Sequence, residues 1–132
     1  MDTTEIAARF KADQYAVGLT GIEIVEVNEN YVKTKLLVEP KHMNSFGIMQ
    51  GGALFTLADF TFAVAINIDP KESAVAIECH ISFLKPTTPG RVLYAESKLI
   101  SKSRSLIACD VTITNERGAI VAKFHGRGFI RQ

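Results

Sequence analysis

The sequence predicts an α+β fold in which one antiparallel sheet of six strands wraps around a single long buried helix, with a short helix at the N-terminus. Three observations carry that expectation. The run from Ala53 to Ile68 is apolar or small except for a few polar residues, and it holds Asp59 near its centre. At 16 residues it falls short of the roughly 20 that cross a membrane, so it reads as a helix enclosed by protein. Around it lie stretches of alternating apolar and polar residues joined by short turns, the pattern of antiparallel neighbours.

With 132 residues, 47% of them hydrophobic and 22% charged, the chain suits one domain, 1–132, with a real core. A net charge of +1, with no basic run, argues against a nucleic-acid partner or an anionic membrane surface.

Thr4 to Lys11 reads as the N-terminal helix, with Ile6 and Phe10 on one side and Thr3 or Thr4 as N-cap. Ile22 to Val27 and Tyr31 to Val38 read as strands across the turn Asn28-Glu29-Asn30. In the second, Val32, Leu36 and Val38 share one face and Lys33 and Lys35 the other. Pro40 ends it, and a loop from Lys41 leads to the central helix, about Gly51 to Asn67. Thr56, Asp59 and Thr61 do not gather on one side of that helix, so all of it is expected to be enclosed. Four strands follow: Ala74 to Leu84, Arg91 to Ile100, Ser105 to Thr114 and Ala119 to Ile130. In the first, Val75, Ile77, Cys79, Ile81 and Phe83 are expected on one face.

Cys79 and Cys109 lie in such alternating stretches, in no metal or redox spacing, and read as buried reduced thiols. His42, His80 and His125 are scattered, and no metal is expected. The N-terminal stretch MDTTEIAARFKAD lacks the apolar core of a signal peptide, which makes a cytoplasmic protein the default.

Asp59 is the residue with a problem to solve. A carboxylate among apolar neighbours must neutralise, find partners, or face a cleft where it acts as general base or nucleophile. Gly51 and Gly52 stand where the loop becomes the helix. Glycine admits a close ligand, and the first-turn amides have no partners inside the helix, so they suit a developing oxyanion. Each feature alone also has a plain structural reading: a partnered core carboxylate, a tight turn, and a turn asparagine at Asn44.

Together, Asn44, Gly47, Gln50, Gly51, Gly52, Leu57 and Asp59 spell N-x-x-G-x-x-Q-G-G-x-x-x-x-L-x-D. That pattern resembles the hotdog-fold thioesterases of the PaaI-like acyl-CoA type, whose motif is N-x-x-G-x-x-H-G-G with an acidic residue eight positions after the first glycine. The stretch ISFLKPTTPG, Ile81 to Gly90, is similar to the family's strand ending in a basic residue and proline. The resemblance implies hydrolysis of an acyl-CoA to free acid and CoA, with no cofactor beyond the coenzyme A of the substrate. It gives Asp59 the role of base or nucleophile and the Gly51 amide that of polarising the carbonyl, with Asn44 assisting. It also implies a homodimer with sites across the interface, paired into a dimer of dimers.

Two departures stand out. Gln50 replaces the usual histidine and cannot take a proton near neutral pH. Many relatives place a Ser or Thr near the carboxylate to position water; Ala63 and Ala76 are the positions to check for it, and Thr56 or Thr61 are the substitutes to examine. Candidate substrate contacts are Gly52, His42 in the loop, Phe60 and Phe83 for the acyl group, and Lys85, Lys102 and Arg104 for the nucleotide. Core packing, a solvated loop position and plain surface charge are the corresponding structural readings. A non-catalytic acyl-CoA binding protein is the alternative function; the fold's hydratases use a site histidine, which this helix lacks.

Overall fold

The computed structural model describes residues 3–131. Helix α1, Thr4–Lys11, turns Ile6 into the core. Thr3 stands at its N-cap position, but its hydroxyl donates to the Val27 carbonyl at 3.0 Å, tying the helix start to the sheet rather than capping it. A wide π-type turn, Gln14–Leu19, follows where the sequence suggested no element. Asp13 caps it, its Oδ1 accepting from the N–H groups of Tyr15 at 3.0 Å and Ala16 at 2.8 Å.

Strands β1, Glu23–Asn28, and β2, Tyr31–Leu37, form the expected hairpin. Val32, Thr34 and Leu36 are buried while Lys33 and Lys35 face outward. A 3-10 turn at Pro40–His42 and a loop lead into α2, Gly51–Ile66. The remaining strands are β3, Ser73–Phe83; β4, Val92–Lys102; β5, Leu106–Asn115; and β6, Ile120–Arg131. All neighbours pair antiparallel in the order β1-β2-β4-β5-β6-β3, so β1 and β3 are the edges. The sheet curls around α2, which touches five of the six strands. This is the hotdog arrangement the sequence pointed to.

Close approach of helix to sheet depends on glycines of β6. A Cβ on Gly126 would lie 2.8 Å from the ring of fully buried Phe62, and one on Gly128 would lie 2.8 Å from Ile66. On the same helix Thr61 donates to the Leu57 carbonyl at 2.8 Å and meets the Thr34 hydroxyl of β2 at 2.7 Å, so the buried hydroxyls satisfy one another. Asn67 fastens the helix end: its amide donates to the carbonyls of Ala63 and Ala74, and its Oδ1 accepts from the Ala74 N–H.

Three expectations need correction. Helix α2 is not enclosed all round. Gly52 is exposed, and the partly buried Thr56, Asp59 and Ala63, with the C-cap Asn67, line up with it along one stripe about 80° wide. Thr61 alone points to the opposite, buried side. On β3, a bulge between Ala76 and Glu78 breaks the alternation. Ala74 is therefore buried before it while Val75 and Ile77 are exposed, and Cys79 and Ile81 turn inward after it. Cys79 is consequently only partly buried, unlike Cys109. Burial raises both thiols, with Asp59 adding to the effect at Cys79 and Asp110 at Cys109, which reaches about 11. Among the described residues no helix is long and apolar enough to cross a membrane.

Replacing Gly126 with alanine is expected to destabilise the protein by about 1–3 kcal/mol, because the packed rings of Phe62 and Phe124, 2.8 and 3.0 Å from the new methyl, must both shift. Denaturant unfolding of Gly126→Ala checks it, and unchanged stability would mean the helix is not held this closely.

Candidate active site

Asp59 sits midway along the open stripe of α2. Its carboxylate forms no hydrogen bond or ion pair among the described residues. It opens into a cleft of about 430 Å³, within the size range of small-ligand pockets, lined also by Arg9, Phe10, Phe62, Ala63 and Ala76. Burial raises its pKa above the ordinary carboxylate range, and the charge of Asp13 adds to this. Asp13 was not legible as a site residue. Its turn-capping pattern shows in the sequence, but its approach to Asp59 depends on the π-type turn folding back over the helix.

The start of α2 supplies the complementary group. No described group bonds the N–H groups of Gly51 and Gly52, which project from the positive end of the helix. At position 51 a Cβ would lie 3.0 Å from the ring of Phe83, which arrives at the end of β3, so a side chain there would push that exposed ring aside. Asn44 closes the preceding loop, its Oδ1 accepting from the N–H groups of Phe46 at 2.8 Å and Ile48 at 3.3 Å. Its Nδ2 group is left to donate elsewhere. Asn44, Gly51, Phe83 and Lys85 line one cleft of about 440 Å³.

These two clefts share no lining residue. Gly51 and Asp59 are eight residues apart on one straight helix, about 12 Å along its axis and about 80° around it. One protomer therefore presents the carboxylate and the amides in different directions.

The other sequence candidates fall into groups. Gln50 and Gly52 border a third cleft with Thr56 and Lys41. Gln50 is the N-cap residue of α2 but its side chain does not cap. His42 lines the same cleft yet is buried, not solvated, at 5% exposure. Its Nδ1 accepts from the Glu39 N–H at 3.0 Å and its Nε2 faces the Thr20 carbonyl at 2.8 Å, so both nitrogens are committed to the backbone. Phe60 is packed edge-on against Phe10 in the core at 3% exposure, whereas Phe83 is 54% exposed at the cleft. The proposed hydroxyl substitutes do not reach Asp59: Thr56 donates to the Gly52 carbonyl, and Thr61 lies on the far side of the helix. Lys85 lies beside the start of α2, but Lys102 lies beyond its end, paired with Glu72 at 2.7 Å. Arg104 occupies the adjoining β4–β5 turn, so the three cations do not form one patch on a protomer. Among the described residues no group of three metal-binding side chains converges.

The thioesterase superfamily model matches residues 46–122, from the loop before α2 into β6. The chain belongs to the thioesterase superfamily. Among its relatives in that superfamily is the acyl-coenzyme A thioesterase PaaI of Escherichia coli K12, 32% identical over 120 residues, which span 91% of this chain and 84% of the relative. The solved structure of the E. coli PaaI protein superposes with a TM-score of 0.90 at 28% identity, covering 99% of this chain and 97% of that one. A hypothetical thioesterase of Streptococcus pneumoniae, solved with coenzyme A, superposes with a TM-score of 0.79 at 27% identity, covering 83% and 85%. The motif from Asn44 to Asp59 lies almost wholly within the matched superfamily region.

A raised carboxylate pKa has a defined stability consequence. The folded state binds the Asp59 proton more tightly than the unfolded state, so its contribution falls as pH rises from the ordinary carboxylate value through the raised one. Asp59→Asn is therefore expected to be more stable than wild type at pH 7, with the gain vanishing below about pH 4. Thermal melts across pH check this; a destabilised variant at pH 7 would mean that the carboxylate has a stabilising partner.

Proposed function

We propose that the protein hydrolyses an acyl-CoA thioester to a free acid and CoA at a site completed by a second copy of the chain. The observation that carries this reading is the unpartnered, half-buried carboxylate of Asp59, on the same helix that opens with unbonded glycine amides. In the dimer, Asp59 of one protomer faces the Asn44–Gly51 cleft of its partner.

The chemistry follows from these groups. Asp59, made more basic by burial, takes a proton from water as the oxygen attacks the carbonyl carbon. The negative charge that develops on the carbonyl oxygen is held by the Gly51 N–H and by the Asn44 amide. Collapse of the tetrahedral species breaks the carbon–sulfur bond, and the CoA thiolate leaves and is protonated. Direct attack by the Asp59 carboxylate, giving a mixed anhydride that water then opens, uses the same geometry. After a single turnover in ¹⁸O-water, label in Asp59 marks the anhydride route with water opening the anhydride at the Asp59 carbonyl. The acyl group rests against Phe83, the exposed aromatic of the cleft.

The relatives support an acyl-CoA substrate: PaaI is named an acyl-CoA thioesterase, and the streptococcal neighbour was solved with coenzyme A. Gln50 favours a second reading, a non-catalytic acyl-CoA binding protein, because the family's histidine is absent. A panel of acyl-CoAs with detection of released thiol decides between them. Release is expected for at least one acyl group, with Asp59→Asn lowering turnover by about a hundredfold or more while remaining folded. Tight binding without release would establish the second reading, and normal turnover in Asp59→Asn would remove Asp59 from the chemistry.

A further inference from the structure

We propose that a cavity at the C-terminal end of α2 binds a small amine that carries an oxygen acceptor at its other end. The site is separate from the clefts that serve the thioester and does not depend on that reading.

The cavity has a volume of about 270 Å³, well above the roughly 150 Å³ at which an apolar cavity takes up benzene. Ile66, in the last turn of α2, and Ile68 form one wall, while Ile107 and Cys109 of β5 form the floor. All four side chains are buried. Burial raises the Cys109 thiol to about 11, so it stays neutral and adds to the apolar floor. Ile66 is the one described residue that this cavity shares with the Asp59 cleft, and it shares none with the Asn44–Gly51 cleft. Along the helix axis Ile66 stands about 10 Å beyond Asp59.

The mouth is acidic. Glu29 reaches it from the β1–β2 turn, Asp69 and Glu72 from the loop after α2, and Lys102 from the end of β4. Glu72 and Lys102 pair at 2.7 Å and cancel. Glu29 has no partner among the described residues. Asp69 accepts, through Oδ1, from the Lys71 N–H of its own turn at 2.9 Å and pairs with no cation, so its charge stands. Two uncompensated carboxylates above an apolar floor repel an anion and favour a cation with a hydrocarbon body.

The second requirement comes from Ser97, which lines the cavity from β4 and is 7% exposed. Its Oγ accepts from the Val32 N–H at 2.9 Å, but its own O–H has no acceptor among the described residues. A buried donor left unmet is costly, so the interior calls for an oxygen acceptor. A carboxylate would supply one, yet the mouth excludes it. A short amino alcohol meets both ends, with its ammonium at Glu29 and Asp69 and its hydroxyl oxygen on Ser97. The bond from Val32 fixes the Ser97 oxygen before a ligand arrives, which lowers the ordering cost of binding.

Titration of the ¹⁵N-labelled protein with 6-amino-1-hexanol, hexylamine, 1-hexanol and hexanoate, probes of one carbon length, tests the proposal. The amino alcohol is expected to bind with a Kd on the order of a millimolar or below and to shift the amides of Ile66, Ser97 and Cys109. Hexylamine should bind several-fold more weakly, 1-hexanol more weakly again, and hexanoate not at all. Two variants at exposed positions check the place. Glu29→Lys should weaken both amines about fivefold at low salt and leave 1-hexanol unchanged. Leu99→Trp, on the cavity wall, should abolish binding of all of them. No binding of the amino alcohol, hexanoate binding as well as hexylamine, amine binding unchanged in Glu29→Lys, or binding by Leu99→Trp equal to wild type would each overturn the site.

Discussion

A single straight helix sets the terms for this molecule. It carries an acid at Asp59 and unbonded amides at Gly51, and eight residues of continuous hydrogen-bonded helix keep them about 12 Å apart. No rotamer of aspartate spans that distance, and the buried residues between them leave no room for the helix to bend. If both groups act on one carbonyl, they must come from two copies. The partly buried stripe on α2 and the exposed apolar residues of the β3 edge strand, Val75 and Ile77, leave apolar surface open on this side of the protomer.

The rest of the fold serves to place that helix. Glycines on β6 let it sink onto the sheet, the Thr34–Thr61 pair fixes its buried side, and the Asn67 side chain pins its end to β3. Fixing the helix fixes the Asp59 carboxylate and the Gly51 amide at once. Asp59 is kept half-buried without a partner and beside the charge of Asp13, an arrangement that costs stability and raises basicity together.

Much of the architecture was legible because it rests on local rules. The apolar run of α2, the lysines opposite Val32 and Leu36 on β2, and the short turns each announce themselves in the sequence. What stayed hidden depends on contacts between distant segments. The bulge in β3 breaks the alternation, so that Val75 and Ile77 are exposed while Cys79 and Ile81 turn inward, and no residue there signals it. The burial of His42 follows from the Thr20 carbonyl, 22 positions away in sequence. Phe60 is core because α1 brings Phe10 against it, and Phe83 faces a cleft because β3 ends beside the start of α2; neither neighbour is visible in the sequence. The motif from Asn44 to Asp59 identified the candidate groups, but only the helix shows how far apart they stand on one chain.

Subunit complementation tests that claim most directly. Asp59→Asn lacks the acid, while Gly51→Val sets a branched side chain against Phe83 and over the first-turn amides. Each variant alone is expected to be folded, dimeric and inactive. After dissociation and random reassociation of an equal mixture, half of the dimers carry one intact site of two, so activity should return to about one quarter of wild type. Mixed dimers, verified by native mass spectrometry, that stay as inactive as their parents would contradict the shared site.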